Sequence, residues 1–453
     1  MTAMSSIARH APYRPLAIII CSALAIAGCD TVGDMLAPQE KIKIKGERVA
    51  VLKTDTTPVA DVTLSDIPIK LPASVLNSDW TQPGGNASNN LQHLSAKGEL
   101  NRIWSADIGA GSSSSVRLVA TPVIGAGRIY TLDAEATLRA MDAASGSEVW
   151  RKDLTPEDQD SDKGFGGGVA FADGKVFVST GFGFVAALDA NSGQEVWRRQ
   201  GAVPYRMAPV VADGKVYVAT QENQLLAINA ADGKVAWDHR GIAESAGILR
   251  SNSVAVEGDV VVVPYSSGEL FALRADNGRV LWSDTLSRGG QLTPLASLSD
   301  IAARPVIDRG YIFAISHSGR LVAIEGRTGE RVWTVDVGGT QRPWVAGDFV
   351  YVVTDDAKVL CVTRKDGKIR WKRQLQAFEN EERKRGPVTW SGPVLASDRL
   401  ILLSSQGEAV ALSPFDGKTT AEINISTSAF IAPIVAQDTL YVLSDNAELT
   451  AYR

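Results

Sequence analysis

The chain has 453 residues, 45% hydrophobic and 21% charged, with 46 Lys and Arg against 51 Asp and Glu and a net charge of −5. It is too apolar to be a disordered chain and carries no basic excess to meet phosphates, which excludes nucleic acid as its natural partner. Its cysteines, Cys21, Cys29 and Cys361, and its scattered histidines, His10, His93, His239 and His317, offer neither a disulfide framework nor a Cys/His metal cluster.

Residues 1–28 contain Arg9 and Arg14, no acid, and the 12-residue apolar run Leu16 to Ala27. Such a run is too short to span a bilayer and suits the hydrophobic region of a signal peptide. It ends in Ile26-Ala27-Gly28-Cys29, small residues before a cysteine that resemble a bacterial lipobox. Cleavage there would leave Cys29 as a lipid-bearing N-terminus, held by acyl chains at ~0.8 kcal/mol per buried methylene. Loss of the leader removes two positive charges and takes the net charge from −5 to −7. Residues 29–75 read as the lipidated N-terminus and a tether, with little periodicity. No other run of 18 apolar residues occurs.

From residue 76 onward the chain repeats itself. One copy starts at Ala208-Pro209-Val210, continues through Val216-Tyr217-Val218 and Leu225-Leu226-Ala227-Ile228, turns at Asp232-Gly233 and ends at Trp237. Asp-Gly between apolar β-runs is a strong hairpin signal, so each copy predicts four antiparallel strands. Copies end at Trp150, Trp197, Trp237, Trp282, Trp333 and Trp371; a seventh has Ile423 in that position, and an eighth stops one strand short at Tyr452-Arg453. The missing strand has a candidate in Leu100-Asn101-Arg102-Ile103-Trp104. Successive tryptophans lie 38 to 51 residues apart, the length of one propeller blade. Eight copies, one of them split, predict an all-β, eight-bladed propeller over residues 76–453, closed by an N-terminal strand that completes the last blade. The repeated tryptophan is read as packing between blades.

The search for chemistry returns little. Gly164-Phe165-Gly166-Gly167-Gly168 lacks the Gly-Lys-Ser/Thr of a phosphate loop and is read as a close backbone approach near the axis. No nucleophile elbow, zinc-protease or EF-hand pattern exists, and the Asp-Gly carboxylates are accounted for by turns. The mixed-sign run Glu379 to Arg385 is expected to be a solvated loop between blades. No catalytic residue, metal ligand or cofactor is assigned.

Ala187-Leu188-Asp189-Ala190-Asn191-Ser192-Gly193-Gln194-Glu195-Val196-Trp197 resembles the repeat of pyrroloquinoline-quinone propellers. Two families share that repeat: quinoprotein alcohol dehydrogenases and the BamB-like lipoproteins of the machinery that folds β-barrels into the bacterial outer membrane. The dehydrogenases carry a vicinal cysteine pair, which Cys361 alone cannot supply. The BamB resemblance covers residues 29–453 in lipobox, length, repeats and closing strand. It implies a non-enzymatic, lipid-anchored scaffold on the periplasmic face of the outer membrane, docked on a POTRA domain of BamA and in contact with unfolded barrel precursors. The family's docking loops match at Leu249-Arg250 and at Leu298-Ser299-Asp300, which makes Leu249, Arg250 and Asp300 the expected partner-binding residues. A further family leucine falls on Gly247, and a second acid falls on Ala302. Asp30, directly after Cys29, resembles an inner-membrane retention residue of enteric bacteria; the outer membrane remains the expected destination. A periplasmic quinone-dependent enzyme and a recognition propeller with another partner are the alternatives.

Overall fold

In the computed structural model, residues 58–453 are described except Phe165, Ser245, Ala246, Leu249, Ser251, 288–297 and Ser426. The leader, Cys29 and most of the tether therefore lie outside the described residues, as does Leu249. Eight four-stranded antiparallel sheets follow one another around a ring. Blades 1 to 7 span residues 123–153, 168–200, 210–240, 255–285, 306–335, 344–374 and 390–424. Blade 8 takes three strands from residues 434–452, and its fourth is Arg102–Asp107, paired antiparallel with Glu448–Tyr452. The split copy thus closes the ring as expected.

Within a blade the first strand is innermost and buried, and the fourth is an edge with an exposed pattern. The middle strands are buried on both faces. In blade 3, Tyr217 and Ala219 pack with blade 4 through Val261, Val263 and Tyr265, whereas Val216 and Val218 pack with blade 2 through Phe177 and Val185. The period-2 alternation therefore sorts residues between two neighbouring blades rather than between core and water.

The repeated tryptophan makes the bond between blades. Each ring lies on the glycine of the next blade's last turn: Trp104 on Gly146, Trp150 on Gly193, Trp197 on Gly233, Trp237 on Gly278, Trp282 on Gly329, Trp333 on Gly367 and Trp371 on Gly417. These glycines have φ between +70° and +77°, and a Cβ on any of them would sit 2.5–2.8 Å from the indole. Six of the seven indoles also donate Nε1–H to a carbonyl of that turn, for example Trp150 to Ala190 at 3.0 Å and Trp237 to Ala275 at 3.0 Å. Blade 7 has Ile423 because blade 8 has no such turn: its third and fourth strands come from opposite ends of the chain. Cys361 faces Trp371 in the register position that Ala140, Ala187, Ala227, Ala272 and Ala323 hold opposite their tryptophans. Its thiol is buried, and burial pushes its pKa up, so it serves as a small packing residue.

Residues 75–97 cross one end of the ring and touch the inner strand of every blade. Asn77 meets blade 8 at Val435 and Gln437, Trp80 bridges Ile124 of blade 1, and Thr81 accepts from Phe171 of blade 2. Gln82 grips Val211 of blade 3 from both sides. Asn89 donates to Val254 and Pro305 of blades 4 and 5, Gln92 receives Trp344 of blade 6, and Leu94 bridges Ala396 of blade 7. His93 sits in this plug between the Pro72 carbonyl at 2.7 Å and the Asp398 N–H at 3.0 Å, which fixes Nδ1 as donor and Nε2 as acceptor. Ahead of the plug, residues 58–67 run beside the outer strand of blade 6, where Asp61 N–H donates to Ile369 and Lys368 pairs with Asp61 at 3.2 Å. The run Glu379 to Arg385 forms the tip of an exposed hairpin, Phe378–Asn380 with Arg385–Pro387.

Gly233 and Gly214 both have positive φ, +73° and +70°, but only Gly233 lies under an indole, and Gly214 faces open space. Gly214→Ala is expected to destabilise by about 1 kcal/mol from backbone strain alone. Gly233→Ala should lose at least about 1 kcal/mol more, because the Trp197 ring must be displaced. Urea unfolding followed by tryptophan fluorescence compares them; equal losses would remove the indole from the account of blade adhesion.

Candidate functional site

The plug leaves the opposite mouth of the channel open, on the side where the connections from one blade to the next are found. Two of these connections, residues 241–254 and 286–305, carry the expected docking residues. The structure ties them together through Asp300. Its carboxylate is 1% exposed; one oxygen takes Arg206 at 2.5 Å and the other accepts the Ile248 N–H at 2.7 Å. Arg206 comes from the preceding connection, so one buried ion pair joins three inter-blade loops. Such a pair is worth little in net terms, but breaking it strands a buried charge. Asp300 thus holds the loop from beneath instead of presenting its charge at the surface. Gly247 lies directly over it: a Cβ there would be 3.2 Å from Asp300 Oδ2, which leaves little room for a larger residue at that position. Ala302 is buried and lines the channel.

Arg250 points into the channel mouth. It comes from the loop before blade 4, and its guanidinium approaches the Phe430 carbonyl, before blade 8, at 3.5 Å. It therefore reaches across the axis. Burial lowers its pKa, and the nearby Asp355 raises it.

Beneath Arg250 is an axial cavity of about 430 Å³, floored by Trp80 and Pro83 of the plug and walled by Leu118, Phe430 and Ile431. Two further arginines enter it, and sequence reasoning missed both. Arg304 of blade 5 donates to Thr121 Oγ1 of blade 1 at 3.0 Å, again across the axis. Arg342 of blade 6 lies over the rings of Trp344 and Trp80 at 4.7 and 5.8 Å and donates to the plug carbonyls of Gly84 and Asn89. Burial, with each guanidinium's repulsion of its neighbour, pushes Arg304 down to about 10 and Arg342 to about 9. Both stay cationic at neutral pH. A signal for them was present: they occupy the position before the repeat's proline, which is Thr121, Ala208, Gly392 or Ala432 in other copies. A second cavity of about 360 Å³, lined by Tyr205, Arg206, Ile248 and Glu244, shares Arg250 with the first.

A family profile described as outer membrane protein assembly factor BamB matches residues 88–158 and 134–373. The outer membrane protein assembly factor BamB of Xanthomonas campestris is 27% identical over 446 residues, 97% of this chain and 98% of that protein. Those of Moranella endobia and Escherichia coli are 25% and 29% identical, over 80% and 74% of this chain and 92% and 84% of theirs. In solved structures the same fold recurs in BamB from Moraxella catarrhalis, with a TM-score of 0.65 at 17% identity, covering 78% of this chain and 99% of that one. It recurs equally in the quinohemoprotein alcohol dehydrogenase of Comamonas testosteroni, with a TM-score of 0.64 at 14% identity, covering 84% of this chain and 81% of that one. The fold alone therefore does not separate assembly factor from dehydrogenase. Among the described residues no three His, Cys, Asp or Glu gather to hold a calcium ion, and the guanidiniums on the axis would repel one. The matching profile spans well over half of the chain, and the sequence relatives run through nearly all of their own lengths, so the chain belongs to the BamB family of outer membrane protein assembly factors.

Proposed function

We propose that this chain is a non-enzymatic scaffold subunit of the β-barrel assembly machinery, anchored through a lipidated Cys29 on the periplasmic face of the outer membrane. It docks on a POTRA domain of BamA through the loops around Leu249-Arg250 and Leu298-Asp300, and it assists insertion of barrel proteins. The observation that carries this reading is the Arg206–Asp300 pair with its bond to Ile248. It ties Ile248 to Asp300 and so holds the two loops together at the channel mouth, which reduces the ordering cost of binding. In the docking surface Leu249 supplies the apolar anchor, Arg250 the polar partner, and Asp300 acts as a positioning residue from below.

The linker supports the geometry. From Cys29 to Pro58 there are 29 residues, which at ~3.4 Å per residue reach at most about 100 Å, enough for a membrane-anchored propeller to meet a periplasmic domain. Contact with barrel precursors is supported by the blade edges: Ile103, Val149, Val196 and Val332 stand 43–49% exposed on outer strands, where an extended segment can pair.

Leu249→Ala with Arg250→Ala is expected to reduce co-purification with BamA from membranes by about tenfold or more, with the far-UV spectrum unchanged. Undiminished co-purification would remove this loop from the interface. Asp300→Ala should lower the unfolding free energy by about 3–5 kcal/mol in urea titrations, because Arg206 then stays buried without its counter-ion. Replacing both partners, Arg206→Met with Asp300→Leu, should recover most of that loss; if it does not, the ion pair is not what holds the loops.

A further inference from the structure

The axial cavity holds a charge imbalance that the docking role does not use. Arg250, Arg304 and Arg342 converge in it, and Arg117 stands at its rim. Among the described residues that line it, Asp445 is the one carboxylate, and it already accepts Ser112 Oγ at 2.5 Å. The internal stretches outside the description contain no acid. Asp355, the carboxylate that acts on Arg250, is hydrogen-bonded to His317 Nδ1 at 2.8 Å, and Glu244 belongs to the adjoining cavity. Arg250 and Arg304 are neighbours that repel, as are Arg304 and Arg342. In a partly enclosed space such repulsion is less screened than in open solvent, and unneutralised charge is costly.

A second observation points the same way. Gln341 is 9% exposed and lines the cavity. Its Oε1 accepts the Gly392 N–H at 3.4 Å, but its Nε2 is buried with no hydrogen-bond partner among the described residues. An unpartnered amide donor on a residue of the guanidinium-lined wall can turn toward an acceptor held there. The plug closes the far end of the channel, so a molecule enters from the mouth alone. The volume suits a ligand of metabolite size.

We propose that the axial cavity is a binding site for a small multivalent oxyanion, a carboxylate or phosphate compound, held between Arg250, Arg304 and Arg342 with Gln341 as an amide donor. The planar guanidinium presents paired N–H donors that match both oxyanions, and the ligand supplies the negative charge that the walls lack. Arg304 and Gln341 play no part in the docking surface, so this site stands or falls separately from it.

The full chain, purified in detergent and dialysed into chloride-only buffer, would be titrated calorimetrically with citrate and with inorganic phosphate. At least one is expected to bind with a Kd below about 1 mM and to raise Tm; which of the two does so identifies the source chemistry. Arg304→Gln should weaken binding about tenfold or more, and Arg304→Lys by less. Without added oxyanion, Arg304→Gln should melt no lower than the parent chain, because it removes a repelling charge. A merely structural Arg304 would instead melt lower and keep the full anion-induced rise. Gln341→Leu gives an independent handle and should also weaken binding. No binding of either anion at about 10 mM, or the same Tm rise in parent, Arg304→Gln and Gln341→Leu, would overturn the proposal.

Discussion

An indole laid flat on a glycine turn of the next blade is the contact on which the ring depends. Each blade is a four-stranded sheet that cannot cover both of its faces. The tryptophan at its outer strand reaches over to the neighbour, and only a residue without a Cβ, at positive φ, lets the ring approach. Removing an indole of this kind deletes about 3–5 kcal/mol of packing. It also takes a donor from a turn carbonyl, which at Ala190, Ala275 and Pro414 keeps a tyrosine hydroxyl as a second donor. The single departure, Ile423, falls where the ring is split, which shows that the contact follows from chain connectivity and not from blade identity.

The plug completes what the tryptophans begin. Tryptophans bind blades pairwise at the periphery, whereas residues 75–97 bind all inner strands to one segment at the axis. Arg342 ties blade 6 to the plug: it lies over Trp80 and bonds two plug carbonyls. With the plug across one end, the cavity is floored by Trp80 and Pro83, and its charges face a partly enclosed space.

The sequence made the ring legible because the tryptophan and the Asp-Gly turn recur with a fixed relation to the strands. The split blade was legible for the same reason, through Trp104 at one end and the missing strand at the other. The plug was not, because Asn77, Trp80, Gln82, Asn89 and Leu94 each serve a different blade and share no period. Asp300 was legible as a position but not as a role: its counter-ion, Arg206, lies 94 residues earlier. Arg304 and Arg342 were hidden by familiarity of pattern. The Pro-Val that follows each of them, or its Pro-Trp variant, reads as one more strand start, and a cation where other copies have a small residue shows its meaning only once the ring brings blades 1, 5 and 6 to one axis.

That axis also explains why the proposed docking loops and the cavity are found on the same face. At the other end the turns between strands are fixed, one set under the tryptophans and the other against the plug, so neither can change length without opening the ring. The connections between blades bear neither constraint. They range from eight residues between Val335 and Trp344 to twenty between Thr285 and Val306, and one carries a complete hairpin. Residues that serve a partner or a ligand must come from segments free to vary in shape. The inter-blade loops qualify, and Arg250, which rises from one of them and reaches across the channel, joins the proposed partner surface to the charged cavity.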